Sequence, residues 1–218
     1  MSNFSSAGHP LGTPRVYSHL NATYDEEQFD SAKTGRRFTV SSAENVLLMK
    51  HLEADPRIIT YATIDLSKAT DHRIETTLSP FPLLQFEHMC GRFAVLVAGR
   101  EHLAQKPVAD AVQCIEDQMA AIGRWLLVRD PVWLTRDPRR RTIETICDCR
   151  FEFISHGDRL ALLRELDRTG ALDLCDCAEF VTSSRPVEAV LSLAVHNEID
   201  LDINAPLTLH TVVRPSGQ

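Results

Sequence analysis

One stretch constrains this chain more than any other: residues 81–99, FPLLQFEHMCGRFAVLVAG. Two apolar, β-rich runs flank the turn Cys90-Gly91-Arg92. One ends near Phe86 and the other runs from Phe93 to Ala98. That pattern predicts a β-hairpin. The second run, FAVLVA, has no polar residue. A strand without alternation is covered on both faces, so it belongs at the centre of a sheet.

The flanking segments supply the rest of an α/β core. Ser41-Ser42-Ala43-Glu44 fits a capping box, with Glu44 as its acceptor half, and predicts a helix from Ser41. Val46, Leu47, Leu48 and Leu52 give that helix its apolar stripe. Asp55-Pro56 ends it, because the residue before proline avoids the α region. Residues 58–64, IITYATI, read as a strand, 65–71 as a polar turn and 73–78 as a second strand. Residues 107–122 form an amphipathic helix with Pro107 at its start and Val108, Val112, Ile115 and Met119 on one face. Residues 125–128 are a short strand.

Residues 1–37 are rich in Ser, Gly, Asn and Pro and read as an extended arm or loop. The arm closes on a basic cluster with Lys33, Arg36 and Arg37. A second basic run holds Arg136, Arg139, Arg140 and Arg141. These arginines are the candidate phosphate contacts, set against a plain solvated loop. Residues 143–154 read equally as strand or helix. Beyond Gly157 come helices over 158–168, 172–181 and 186–196, then strands over 198–202 and 207–213. Three helices and a hairpin make a winged-helix pattern. The expected division is an arm over 1–37, a core over 38–154 and a winged-helix-like domain over 155–218.

The 218 residues carry a net charge of −7 and no long basic tract, which argues against nucleic-acid binding by the whole surface. Between Gly157 and Asp200, four arginines face nine acidic residues, a balance of −5. Such a module suits a protein partner better than a phosphate backbone. No early apolar run suggests a signal peptide, and no run approaches the roughly 18 residues of a membrane helix. A soluble, cytoplasmic protein is expected. The six cysteines should then be thiols or metal ligands. Cys147-Asp148-Cys149 and Cys175-Asp176-Cys177, with His156 between them, are a candidate four-thiolate zinc site. Their one-residue spacing is tight for zinc, and small buried side chains are the alternative. Cys90 and Cys114 read as core residues. No local Cys/His dyad, P-loop or dinucleotide fingerprint is present.

Two phrases resemble the TnsA-type transposon endonuclease family, over roughly residues 38–214. Ser41-Ser-Ala-Glu44-Asn-Val-Leu-Leu followed by Leu52-Glu-Ala-Asp55-Pro56-Arg57-Ile58 is similar to that family's first helix and strand. Glu198-Ile-Asp-Leu-Asp-Ile-Asn-Ala-Pro206-Leu-Thr is similar to the end of its C-terminal domain. The resemblance implies a restriction-endonuclease-like mixed sheet flanked by helices, with a winged-helix tail that engages a regulatory ATPase. It also implies Mg²⁺-assisted phosphodiester cleavage by a helix carboxylate, two ligands on the hairpin and a lysine. Carried over, those positions fall on Glu44, Gln85, Val97 and Gly99, and only Glu44 suits the chemistry. Glu75 and Glu87, near Arg100, His102 and Lys106, are candidates for a displaced site.

The leading expectation is therefore a catalytically inactive relative that acts as a binding or assembly module in a DNA-handling or regulatory complex. It needs no cofactor and has a protein partner for its acidic tail. The rivals are an active Mg²⁺-dependent endonuclease with a displaced site, and a winged-helix regulator that binds DNA as a homodimer.

Overall fold

The computed structural model describes residues 27–40, 42–66 and 72–217. Its centre is the predicted hairpin, β4 (Leu83–His88) and β5 (Gly91–Val97), antiparallel with Gln85 opposite Ala94. Gly91, at φ 144°, takes a backbone conformation that side chains disfavour. β3 (Ile58–Thr63) pairs antiparallel with β4, and β6 (Trp125–Arg129) pairs parallel with β5. The sheet order is β3-β4-β5-β6, so the apolar run is interior as expected, with Ala94 to Ala98 all buried.

Helix α1 (Ala43–Ala54) covers one face of this sheet, and its Leu48, Met49 and Leu52 pack with Tyr61, Leu84, Val95 and Val97. Ser42 caps α1 by accepting from the Asn45 amide at 3.1 Å. Glu44 is exposed in the first turn and the cap is Ser42, while Ser41, the other half of the expected capping box, lies outside the described residues. The other face is covered by α2 (His72–Leu78) and by α4 (Lys106–Ala121), which follows the short α3 (Arg100–Leu103). The strand expected over 73–78 is thus helical. Ile74 and Leu78 are four residues apart and pack on one face against Ala111 and Ile115. The turn expected over 65–71 falls largely outside the described residues.

Part of the expected arm is a hairpin, β1 (Glu27–Ser31) and β2 (Arg36–Val40). Phe29 and Ser31, like Phe38 and Val40, alternate inward and are buried. The carboxylate of Glu53 on α1, fully buried, fastens this hairpin. It accepts from Ser31 Oγ at 2.7 Å, the Ala32 and Lys33 amides at 2.7 and 3.0 Å, and Tyr61 Oη at 2.6 Å. Lys33 Nζ donates to the carbonyls of Leu52 and Asp55 at the end of α1.

After β6 come α5 (Val132–Thr135) and α6 (Arg139–Asp148), so residues 143–148 resolve as helix. The C-terminal unit runs α7 (His156–Thr169), β7 (Leu172–Asp173), α8 (Leu174–Ala178), α9 (Pro186–Val195), β8 (Ile199–Leu201) and β9 (Val212–Pro215). Gly170 stops α7 at φ 79°, as its position predicts. The segment 172–181 splits into a strand and a short helix. The last strand starts later than expected, because residues 207–211 form a turn closed by Thr211 N donating to the Thr208 carbonyl. The three-stranded sheet is ordered β7-β9-β8.

The core of this unit does not stop at residue 154. Ile143, Ile146 and Cys147 of α6, with Ala54 of α1, belong to the same buried cluster as Leu162, Leu166, Ala189 to Leu191, Leu193 to Val195 and Val213. Helix α9 is enclosed: it packs on α6 and α8, touches α1, and every residue from Ala189 to Val195 is buried. Among the described residues, no helix is long and apolar enough to cross a membrane.

Candidate binding recess

Side chains alternate along a strand, so register decides which residues share a face. Gln85 lies opposite Ala94, which puts Val97, three residues on, on the other side of the sheet. The carried-over positions therefore do not converge. Gln85 accepts a hydrogen bond from Arg124 and lines a polar cleft of about 390 Å³ with Arg36, Glu87 and Arg92. Val97 is buried beneath α1, Gly99 lies past the strand at the start of α3, and Glu44 is exposed at the start of α1. The displaced-site candidates are also apart. Glu75 faces His72 on α2, and Glu87 lies 3.9 Å from Arg92. Among the described residues, neither set forms a group of three or more donors able to share a metal.

The α1 side of the hairpin instead presents Leu84, Phe86, Phe93, Val95 and Val97. Where α1 ends, Phe86, Phe93, Val95, Ile58 and Leu127 floor a recess of about 330 Å³. That is within the size range of small-molecule sites. Its walls are His51, Asp55, Arg57, His88, Cys90, Arg129, Trp133 and Arg139.

The polar groups of this wall interlock. His51 Nε2 donates to the Leu134 carbonyl at 2.9 Å, and its Nδ1 accepts from Arg139 Nε at 3.3 Å. Burial pushes its pKa down to about 4, and Arg139 pushes the same way, against the Leu134 bond. The ring is neutral, with both nitrogens occupied and its plane tilted against Trp133 at 4.7 Å. Burial raises the Asp55 carboxyl, but the two Arg57 bonds, at 3.0 and 3.2 Å, and the charges of Arg57 and Arg139 hold it below its usual range. Arg139 donates to Asn204 Oδ1 at 2.7 Å and lies 5.3 Å from the Trp133 ring centre. Arg129 has no carboxylate partner among the described residues, and its guanidinium lies 6.0 Å from the same ring.

His51, with both nitrogens occupied, and Asp55, held by Arg57, are not free to act as general bases. The recess has a free cation at the mouth, an aromatic wall and an apolar floor. An anionic ligand with a planar apolar part fits that chemistry.

The basic run is dispersed. Only 14 % of the Arg139 side chain is exposed, and at the wall of the recess it joins His51 of α1 to Asn204 of the C-terminal loop. Arg140 pairs with Glu144 and Arg141 with Asp137, each four residues apart, and Arg37 pairs with Asp30. Arg36 and Arg136 are exposed. Arg139→Ala is expected to lower stability by about 2–3 kcal/mol, as a loss of charge-assisted hydrogen bonds at a nearly covered site. A urea midpoint equal to wild type would show that the guanidinium contributes nothing net.

The four cysteines proposed for zinc are not gathered. Cys147, Cys149 and Cys177 are buried in the C-terminal core, and Cys147 donates to the Lys50 carbonyl. Burial pushes their thiols up, to about 12 for Cys147 and Cys177 and about 11 for Cys149, and burial with the Asp176 charge raises that of Cys175 as well. Cys175 is half-buried elsewhere, Cys114 is half-buried, and Cys90 is exposed at the hairpin turn, not in the core.

His51, Asp55, Arg57, Arg129 and Trp133 were not singled out from the sequence as site residues. One signal for the first two was present. Leu48, His51, Leu52 and Asp55 follow the helical spacing of a buried face, so two polar groups there needed partners. Comparison of the chain with protein-family models and with curated proteins returns no match.

Proposed function

We propose that this chain is a nuclease-type scaffold, similar in organisation to TnsA-type endonucleases, that serves as a binding and assembly module in a DNA-handling or regulatory complex. One observation carries the reading. Of the carried-over hairpin positions, Gln85 and Val97 lie on opposite faces of the sheet, and the face beneath α1 holds only apolar side chains, Leu84, Phe86, Phe93, Val95 and Val97. Hard divalent cations require oxygen donors, and these side chains offer none.

The mixed sheet between helices supports the restriction-endonuclease-like part of the reading. The order α7-β7-α8-α9-β8-β9, with sheet order β7-β9-β8, supports a winged-helix tail. In groove-reading proteins of that kind, a helix of the module enters the major groove. Here α9, the helix in that position, is enclosed by α6, α8 and α1. The tail therefore favours a protein partner. Its acidic balance agrees, and Phe151 and Phe153, 63 % and 79 % exposed, offer apolar contact beside it.

The test is cleavage of supercoiled plasmid with Mg²⁺ or Mn²⁺. The expected outcome is no nicking above the protein-free control. Nicking that Glu44→Ala abolishes would overturn the proposal.

A further inference from the structure

We propose that Asp173, Cys175 and His210 form a site for a divalent transition metal, with zinc the best match to the donor set. These three donors lie within 4.8 Å of one another and are the only such group among the described residues. The site is separate from the recess, and the inference does not rest on the proposed function.

The backbone sets the donors in place before any metal arrives. Asp173 lies opposite Val212 in the β7–β9 ladder. The Leu174 amide donates to the Thr211 carbonyl and the Cys175 amide to the Leu209 carbonyl, both at 2.9 Å. His210 sits in the turn between, its amide donating to Thr208 Oγ1 at 3.2 Å, while the Thr208 amide donates to Thr211 Oγ1 at 2.9 Å. Two chain segments distant in sequence are thus fastened on both sides of the three donors.

The spacing suits a small tetrahedral ion. Zinc bonds of about 2.0–2.1 Å to nitrogen and oxygen place such ligands roughly 3.3 Å apart. His210 Nδ1 and Asp173 Oδ2 are 3.1 Å apart. The Cys175 sulfur lies within 4.8 Å of both. It now donates to Asp176 Oδ1 at 3.6 Å. On coordination the Cys175 thiol proton passes to solvent, and Asp176 loses that donor. One thiolate, one imidazole and one carboxylate favour zinc or cobalt over magnesium or calcium, which prefer oxygen alone. With 82 % of the His210 side chain exposed, the fourth position opens to water.

Co²⁺ is the probe, added to the reduced full chain. Stoichiometric binding with a thiolate-to-cobalt charge-transfer band and tetrahedral ligand-field bands is expected, and Zn²⁺ should displace it. Cys175→Ser should remove the charge-transfer band. His210→Ala and Asp173→Asn should each weaken binding by about tenfold or more. Cys90→Ser, at the exposed thiol of the hairpin turn, should leave the spectrum unchanged. Circular dichroism confirms that each variant is folded, which the exposure of the site favours. Absence of the band in the wild type, or its persistence in Cys175→Ser, would overturn the proposal.

Discussion

Glu53→Ala should lower the unfolding free energy by about 3–5 kcal/mol, the scale for removing one member of a buried, fully hydrogen-bonded polar group. The carboxylate accepts from four donors on two elements. Its loss strands the Ser31 and Tyr61 hydroxyls and two amides in an interior that water does not reach. It also removes the negative charge beside Lys33, whose pKa burial already depresses to about 8 against the pull of Glu53 and Asp55. Glu53→Gln should recover only part of the loss, because an amide nitrogen cannot accept from those donors. Urea unfolding of the three proteins reads the difference. A loss below about 1 kcal/mol for the alanine variant would mean that the hairpin is held by Phe29, Phe38 and Val40 alone.

Acid should destabilise the protein through His51. Its folded pKa, about 4, lies below its ordinary value of 6.5. Between those values the unfolded chain binds more protons than the folded one, so stability rises with pH across this window. The contribution is fully present above about pH 6.5 and is lost as pH falls toward 4, on the order of 3 kcal/mol over the whole window. Arg139, Asp55, Glu144 and the Leu134 carbonyl are the charged and polar groups that act on the ring, and Trp133 packs beside it. Asp55, held low by Arg57, adds its own loss at still lower pH. His51→Gln keeps a donor for the Leu134 carbonyl but cannot titrate. Its stability curve should be flatter than that of the wild type between pH 6.5 and 4. Parallel curves would remove His51 as the cause.

The elements legible in the sequence were those whose signal is local. The apolar run 93–98, the stop at Asp55-Pro56, the proline-led helix α4 and Gly170 each carry their own instruction. The misread elements depend on distant partners. Residues 73–78 hold too few apolar positions to separate a helical from an extended period, and α4 settles the choice. Residues 27–37 read as part of a loop because Ser, Lys, Thr and Gly dominate their turn. Yet Phe29, Ser31, Phe38 and Val40 alternate correctly for strands, and Glu53 secures the turn from 20 or more residues away. The recess was hidden for the same reason: it joins α1, the sheet and α5–α6. Arg139 was read with its basic neighbours, although α6 turns it away from them, toward His51 and Asn204.

Helix α6 has one further consequence. It lies N-terminal to the division expected at residue 154, yet its apolar side is part of the C-terminal core. A genetic exchange that trades the tail alone would therefore leave both products incomplete. The donor's tail would arrive without its inner wall, and the recipient would keep a helix with nothing to cover it. The heritable unit of this architecture is thus the tail together with α6. Because Arg139 begins that helix, any such unit also carries one wall of the recess with it.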